Sequence, residues 1–283
     1  MNRKVIEQIR GRPASDGAGV KLTRVFSNPR VERFDPFLML DEFGSEEASD
    51  YIAGFPPHPH RGFETVTYML QGKMEHQDHM GNVGLLNDSD VQWMTAGSGI
   101  IHSEMPKQTE GKMRGFQLWV NLPAKRKMAP AHYQDVSGDK MPVYDFDFAK
   151  VKVIAGATLV NAREVSGYFD VVDTEVLYLD IELHTSDTLD INLNADHNAM
   201  VYVYDGEVLV GDSAVVTSAQ TLARLSEEGN LQLKNAGKQV SRLLVLAGKP
   251  LKEPIVQHGP FVMNSREEIE QAIVDYQNGV LTA

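Results

Sequence analysis

Four side chains within one fifty-residue stretch have the types and spacing of a metal site. His58 and His60 stand two apart in GFPPHPHRGFETVTYML, and His102 and Glu104 repeat that spacing in TAGSGIIHSEMP. Residues two apart on a strand leave the same face, so each pair can aim both donors into one cavity. Three imidazoles and a carboxylate would then meet on a single divalent ion and leave coordination positions open for a substrate. The chain has no cysteine. Any metal must therefore take N and O donors, and disulfides are excluded.

Such pairs need strands to carry them, and the surrounding sequence supplies these. TVTYML, GNVGLL, VQWMT and FQLWVNL are short β-type runs separated by turn signals such as QGK and NDSD, the pattern of an all-β barrel or sandwich. The polar, Pro-containing stretch KRKMAPAHYQDVSGDKMP then reads as a connector, with a boundary near residue 140. That gives a metal-bearing barrel over 1–140 and a second barrel over 141–283. Strand-like runs resume with VKVIAGA, VLYLDIEL, AMVYVYDGEVLVG and RLLVLAG.

The two halves echo each other. TVTYMLQGKM resembles MVYVYDGEVLVG, and WMTAGSGIIHSE aligns with ARLSEEGNLQLK when Gly99 is matched to Gly229, as an internal duplication would require. In that register Asn192, Asn194, Gln232 and Lys234 take the places of His58, His60, His102 and Glu104. A lysine ammonium opposes a bound cation, so the second barrel is expected to hold no metal. The last segment, SREEIEQAIVDYQNG, is the clearest helix. Ser265 and Glu268 fit a capping box, Ile269, Ala272, Ile273 and Tyr276 form one apolar face, and Gly279 follows the end. A helix of this kind serves as a brace docked on a barrel.

Composition bounds the rest. The 283 residues are 42% hydrophobic and 23% charged, ordinary values for a globular chain. A net charge of −12 argues against a nucleic-acid partner, whose phosphates demand cations. No apolar run approaches the roughly 20 residues of a membrane span, and MNRKVIEQIRGRP lacks the apolar core of a secretory signal. A soluble, cytoplasmic protein without membrane contact is the expectation.

HPHRGFETVTYMLQG, QWMTAGSGIIHSEMP, FQLWVNLPAKRKM and GPFVMNSREEIEQAIVDYQNG together resemble the pirin family of the cupin superfamily over nearly the whole chain. The resemblance implies two antiparallel, jelly-roll-like cupin barrels in tandem with a short C-terminal helix. It implies iron in the N-terminal barrel, as Fe(II), on His58, His60, His102 and Glu104; Mn, Co, Ni, Cu and Zn suit the same donors. Two roles follow from it. One is a quercetin 2,3-dioxygenase-like enzyme that opens a flavonol with O2 and releases carbon monoxide, Glu104 acting as ligand and general base on a small planar aromatic substrate. The other is an iron-dependent regulator of a protein partner.

Some residues depart from the general cupin pattern. Its first motif usually carries a glutamate five residues after the second histidine, where Thr65 stands here. Glu64 falls one residue early, and strand parity sends it to the opposite face. In the second motif Gly97 replaces a common proline and Pro106 a common asparagine. Glu64 is expected to be structural, paired with Arg61. His79 is expected in a solvated turn, and His76 either at the pocket mouth or satisfied within its hairpin. Phe63, His76, Trp93 and Phe116 are the candidate walls of a cavity for a flat substrate, with core packing the equal alternative for the three aromatic residues.

Overall fold

The computed structural model describes residues 2–184, 187–212 and 215–283. Strands account for nearly all regular structure, and they gather into two compact units. One unit comprises Arg12–Arg33, Phe37–Asp139 and Leu251–Ala283; the other comprises Met1–Gly11, Phe34–Pro36 and Lys140–Pro250. The chain crosses between them at the expected connector, but a single cut at residue 140 does not describe them. Strand Val5–Arg10 pairs with Thr221–Leu225 in the second unit, while the C-terminal helix belongs to the first. Backbone hydrogen bonds and ion pairs set these memberships, whereas connector composition marks only where the chain passes.

In the first unit a seven-stranded sheet runs in the order His132–Val136, Val91–Thr95, Phe63–Gln71, Met113–Asn121, Phe37–Ser45, Val20–Phe26 and Arg12–Asp16. A four-stranded sheet, Phe55–His60, Ile100–Pro106, Met74–Asp78 and Val83–Leu86, carries the histidine pairs. All these pairings are antiparallel, as the resemblance implies. The second unit has a seven-stranded and a six-stranded sheet. One aliphatic cluster fills it, including Leu189, Ile191, Val201, Leu231, Leu233 and Val245.

The order of the two sheets corrects the register of the internal repeat. Strands Thr188–Ile191 and Leu231–Asn235 pair as Phe55–His60 pairs with Ile100–Pro106. Leu189, Ile191, Leu231, Leu233 and Asn235 are buried there, while Gln232 and Lys234 are half-buried on the other face. Asn192 and Asn194 lie past the strand. A one-residue slip exchanges the faces of a strand. The interior positions of the second unit therefore hold aliphatic residues where the first holds imidazoles.

Helix Arg266–Gln277 forms as its sequence requires. Ser265 and Glu268 make both bonds of the capping box, Ile269 and Ala272 are buried, and Gly279 follows with a φ of 71°. It packs with strand Phe261–Met263 in the first unit. Arg61 fastens it there, donating to Asp275 at 2.6 Å, to the Leu281 carbonyl at 3.2 Å, and to the Ser98 carbonyl. Lys127 adds a second fastening, its ammonium donating to the carbonyl oxygens of Gly62 and Val262 and to Asn121 Oδ1. Gly62, which turns the chain between His60 and Phe63, has a φ of +91°. A Cβ there would collide with the Val262 carbonyl oxygen.

Candidate metal centre

The histidine pairs converge because their two strands are neighbours in register. His102 stands directly opposite His58 and Ile100 opposite His60, and cross-strand partners share a face. The rings of His58 and His60 lie 4.7 Å apart, His58 and His102 4.4 Å, and His60 and His102 4.9 Å. Their donor nitrogens all fall within 4.8 Å of one another. Among the described residues these three form the one group of three or more His, Cys, Asp or Glu side chains so gathered.

Hydrogen bonding shows which nitrogens face inward. His58 Nδ1 lies 2.9 Å from the Pro56 carbonyl, which can only accept, so the proton sits on Nδ1 and Nε2 keeps its lone pair. His58 Nε2 is 3.0 Å from His60 Nε2. Among the described residues His102 Nε2 is buried with no hydrogen-bond partner, as are His60 Nδ1 and His76 Nδ1; a buried lone pair of this kind is costly unless something electrophilic meets it. Burial, reinforced by the neighbouring imidazoles, holds His60 and His102 well below the usual histidine pKa. Both are neutral donors at physiological pH. Converging neutral imidazoles with an orphaned buried nitrogen fit a divalent transition metal.

Glu104 lines the same cavity but is tethered apart from the imidazole cluster. Thr67 Oγ1 lies 3.1 Å from Glu104 Oε1, and Gln117 Nε2 lies 3.4 Å from both carboxylate oxygens. Thr67 and Gln117 face each other across strands, in a row that continues through Asp41 and Arg24 on one side and Gln92 and Asp135 on the other. This polar belt spans six strands on the sheet facing the site. Arg24 closes one end with a bidentate pair to Asp41, 3.1 and 2.7 Å. Gln92 closes the other on Asp135 at 2.8 Å.

A cavity of about 630 Å³ opens beside the centre. His58, His60, Glu104 and Gln117 face it, with Met39, Phe43, Phe55 and Trp119 as apolar wall. None of the four walls expected from sequence takes part. Phe116 neighbours Gln117, so parity turns it away to pack near Tyr68 at 6.2 Å between rings. Trp93 lies opposite Val66, off the polar row. Phe63 sits behind the site in contact with the rings of His60 and Trp119, at 5.2 and 4.3 Å. His76 is fully buried rather than at the mouth, with Nε2 2.6 Å from His102 Nδ1. The sequence does hold a signal for it. MEHQD repeats the two-residue spacing, placing His76 opposite Glu104 and Asp78 opposite His102. His79 is exposed in its turn, as expected.

Glu64 keeps to the opposite face, where it accepts from Thr95 Oγ1 at 2.6 Å and burial raises its pKa. Its expected partner Arg61 is taken by Asp275.

Two antiparallel β units in one chain, the first with a cluster of inward imidazoles, define a bicupin. The chain belongs to the pirin family: the family description Pirin matches residues 19–120, and Pirin C-terminal cupin domain matches residues 178–282. A Pseudomonas aeruginosa protein provisionally named quercetin 2,3-dioxygenase is 57% identical over 281 residues, 99% of this chain and 98% of that one. A pirin-like protein of Caulobacter vibrioides is 47% identical over 279 residues, 98% of each. The crystal structure of a quercetin 2,3-dioxygenase from Acinetobacter baumannii matches with a TM-score of 0.89 at 33% identity, covering 99% of both chains.

Proposed function

We propose that this protein is a metal-dependent dioxygenase that opens flavonol-like aromatic rings with O2 and releases carbon monoxide. The observation that carries the reading is one void of about 630 Å³ lined both by His58, His60 and Glu104 and by Phe43, Phe55 and Trp119. Its volume is that of a small-molecule site, and its apolar wall suits flat rings. The names of the Pseudomonas and Acinetobacter relatives support the same chemistry. A metal walled off by protein atoms would suit a regulator of a protein partner instead; the open void beside the imidazoles favours the enzyme.

In this reading His58, His60, His102 and Glu104 hold the metal, with Fe(II) the first candidate. When bound, it supplies a Lewis acid for an enolic oxygen and open positions for O2. Glu104, steadied by Thr67 and Gln117, accepts the enol proton on a carboxylate oxygen. Trp119 and Phe55 orient the ring plane and keep water from the reacting carbon. Protein loaded anaerobically with Fe(II), then given quercetin and O2, is expected to release one carbon monoxide per quercetin consumed. Iron-loaded protein that consumes no quercetin would overturn the reading.

A further inference from the structure

We infer that His76 is a positioning residue of the metal centre: it accepts the Nδ1 proton of His102 and so fixes the tautomer in which His102 Nε2 offers its lone pair. Resting on the metal reading above, this assigns a role to a histidine outside the four proposed ligands.

The geometry leaves His102 two states. A neutral imidazole carries one N–H. On Nε2 that proton would be buried with no acceptor, because this atom has no partner. On Nδ1 it meets His76 Nε2 at 2.6 Å, and the lone pair is left on Nε2. Either state leaves one N–H without an acceptor among the described residues, His102 Nε2–H in the first and His76 Nδ1–H in the second; only the second leaves His102 Nε2 free for a metal, so a bound ion selects it.

Nearby polar groups are committed elsewhere. Asp78, directly opposite His102, accepts from the Met80 and Asn82 amides and from Asn82 Nδ2. Glu104 is held by Thr67 and Gln117. His58 shows the same device through a backbone acceptor, the Pro56 carbonyl. His76 is itself locked, with no exposed surface and the Tyr133 ring 5.1 Å away. Partners that orient a ligating imidazole through its second nitrogen typically change metal affinity about 10–100-fold when removed.

The test uses full-length protein and Co(II) alone, followed by calorimetry and by the visible ligand-field bands. His76→Leu fills similar volume but cannot accept a proton; His76→Gln can accept through its amide oxygen. The Leu variant is expected to bind Co(II) about 10–100-fold more weakly with altered bands, and the Gln variant to recover most of the affinity. Metal-free melting temperatures show whether each variant is folded. In the Zn(II)-loaded wild type, ¹⁵N-histidine spectra are expected to show His102 protonated on Nδ1. Protonation on Nε2, or a Leu variant that binds as the wild type does, overturns the role of His76 alone. Wild type that binds no Co(II) overturns the metal reading and this inference with it. If the Leu variant does not fold, the wild-type tautomer and the Gln variant decide.

Discussion

Glu104 carries two demands at the scale of the single residue, ligand and base, and they can be separated. Glu104→Gln keeps its shape and leaves three imidazoles in place, so metal is expected to bind at reduced occupancy. Loss of one coordinating or supporting group alone weakens function about 10–100-fold, and loss of the base should take turnover further. Metal content and carbon monoxide release, measured on one sample, check this; full turnover with metal bound would remove Glu104 as the base. Lys127 offers a test by pH. Its three N–H donors are matched by three acceptors, yet burial lowers its pKa from 10.5 to about 8. The fold therefore favours the neutral amine, and the cost of the buried charge is fully present below pH 8. As pH rises from about 8 to 10.5 the unfolded chain binds more protons than the native one, so stability rises. Relative to Lys127→Met, the wild type is expected to gain up to about 3 kcal/mol across that window, read by urea denaturation at each pH.

At the scale of elements, the turn at Gly62 joins the strand bearing His58 and His60 to the strand bearing Thr67. Gly62→Ala forces a side chain into the left-handed region and against the Val262 carbonyl. A cost of about 1–3 kcal/mol and weaker cobalt binding are expected, measured by denaturation and titration. A substitution without effect on either would show that this turn yields freely. Both histidine pairs were legible in the sequence because a two-residue period is a property of strands themselves, and parity placed Glu64 correctly. The cavity walls were not legible. Strand Val91–Thr95 is buried at every position, and Phe63–Gln71 at all but its last two. With apolar side chains on both faces, alternation cannot say which phase looks inward, and Phe116 reads as wall in place of Gln117 and Trp119 on the same strand. The second-unit register misses by one residue for another reason: matching Gly99 to Gly229 overrides the alternation of Leu231 and Leu233 with Gln232 and Lys234. His76 had a visible spacing, but its bond to His102 depends on a strand pairing that the local sequence does not encode.

At the scale of the whole molecule, the exchanged ends decide what can be cut. Residues 12–139 alone lack Asp275, the Leu281 carbonyl and the Val262 carbonyl, leaving Arg61 only the Ser98 carbonyl and Lys127 two of its three acceptors. Removing one member of a buried ion pair typically costs about 3–5 kcal/mol. Asp275→Ala should fall at or below the lower end, since that carboxylate is partly exposed. A fragment of residues 12–139 is expected to show no cooperative unfolding by circular dichroism, and one that also carries residues 251–283 on a flexible linker should recover it. The same exchange imposes an order in time. Arg61 and Asp275 are 214 positions apart, and ribosomes add about 5–20 residues per second, so roughly 10–40 s of translation separate them. The imidazoles are polymerised early, yet the contact that fastens their strand to the helix forms only after 214 further positions have been added. A nascent chain would thus present an unfinished cup of histidines to the cell, and metal loading becomes an event that follows translation rather than accompanies it.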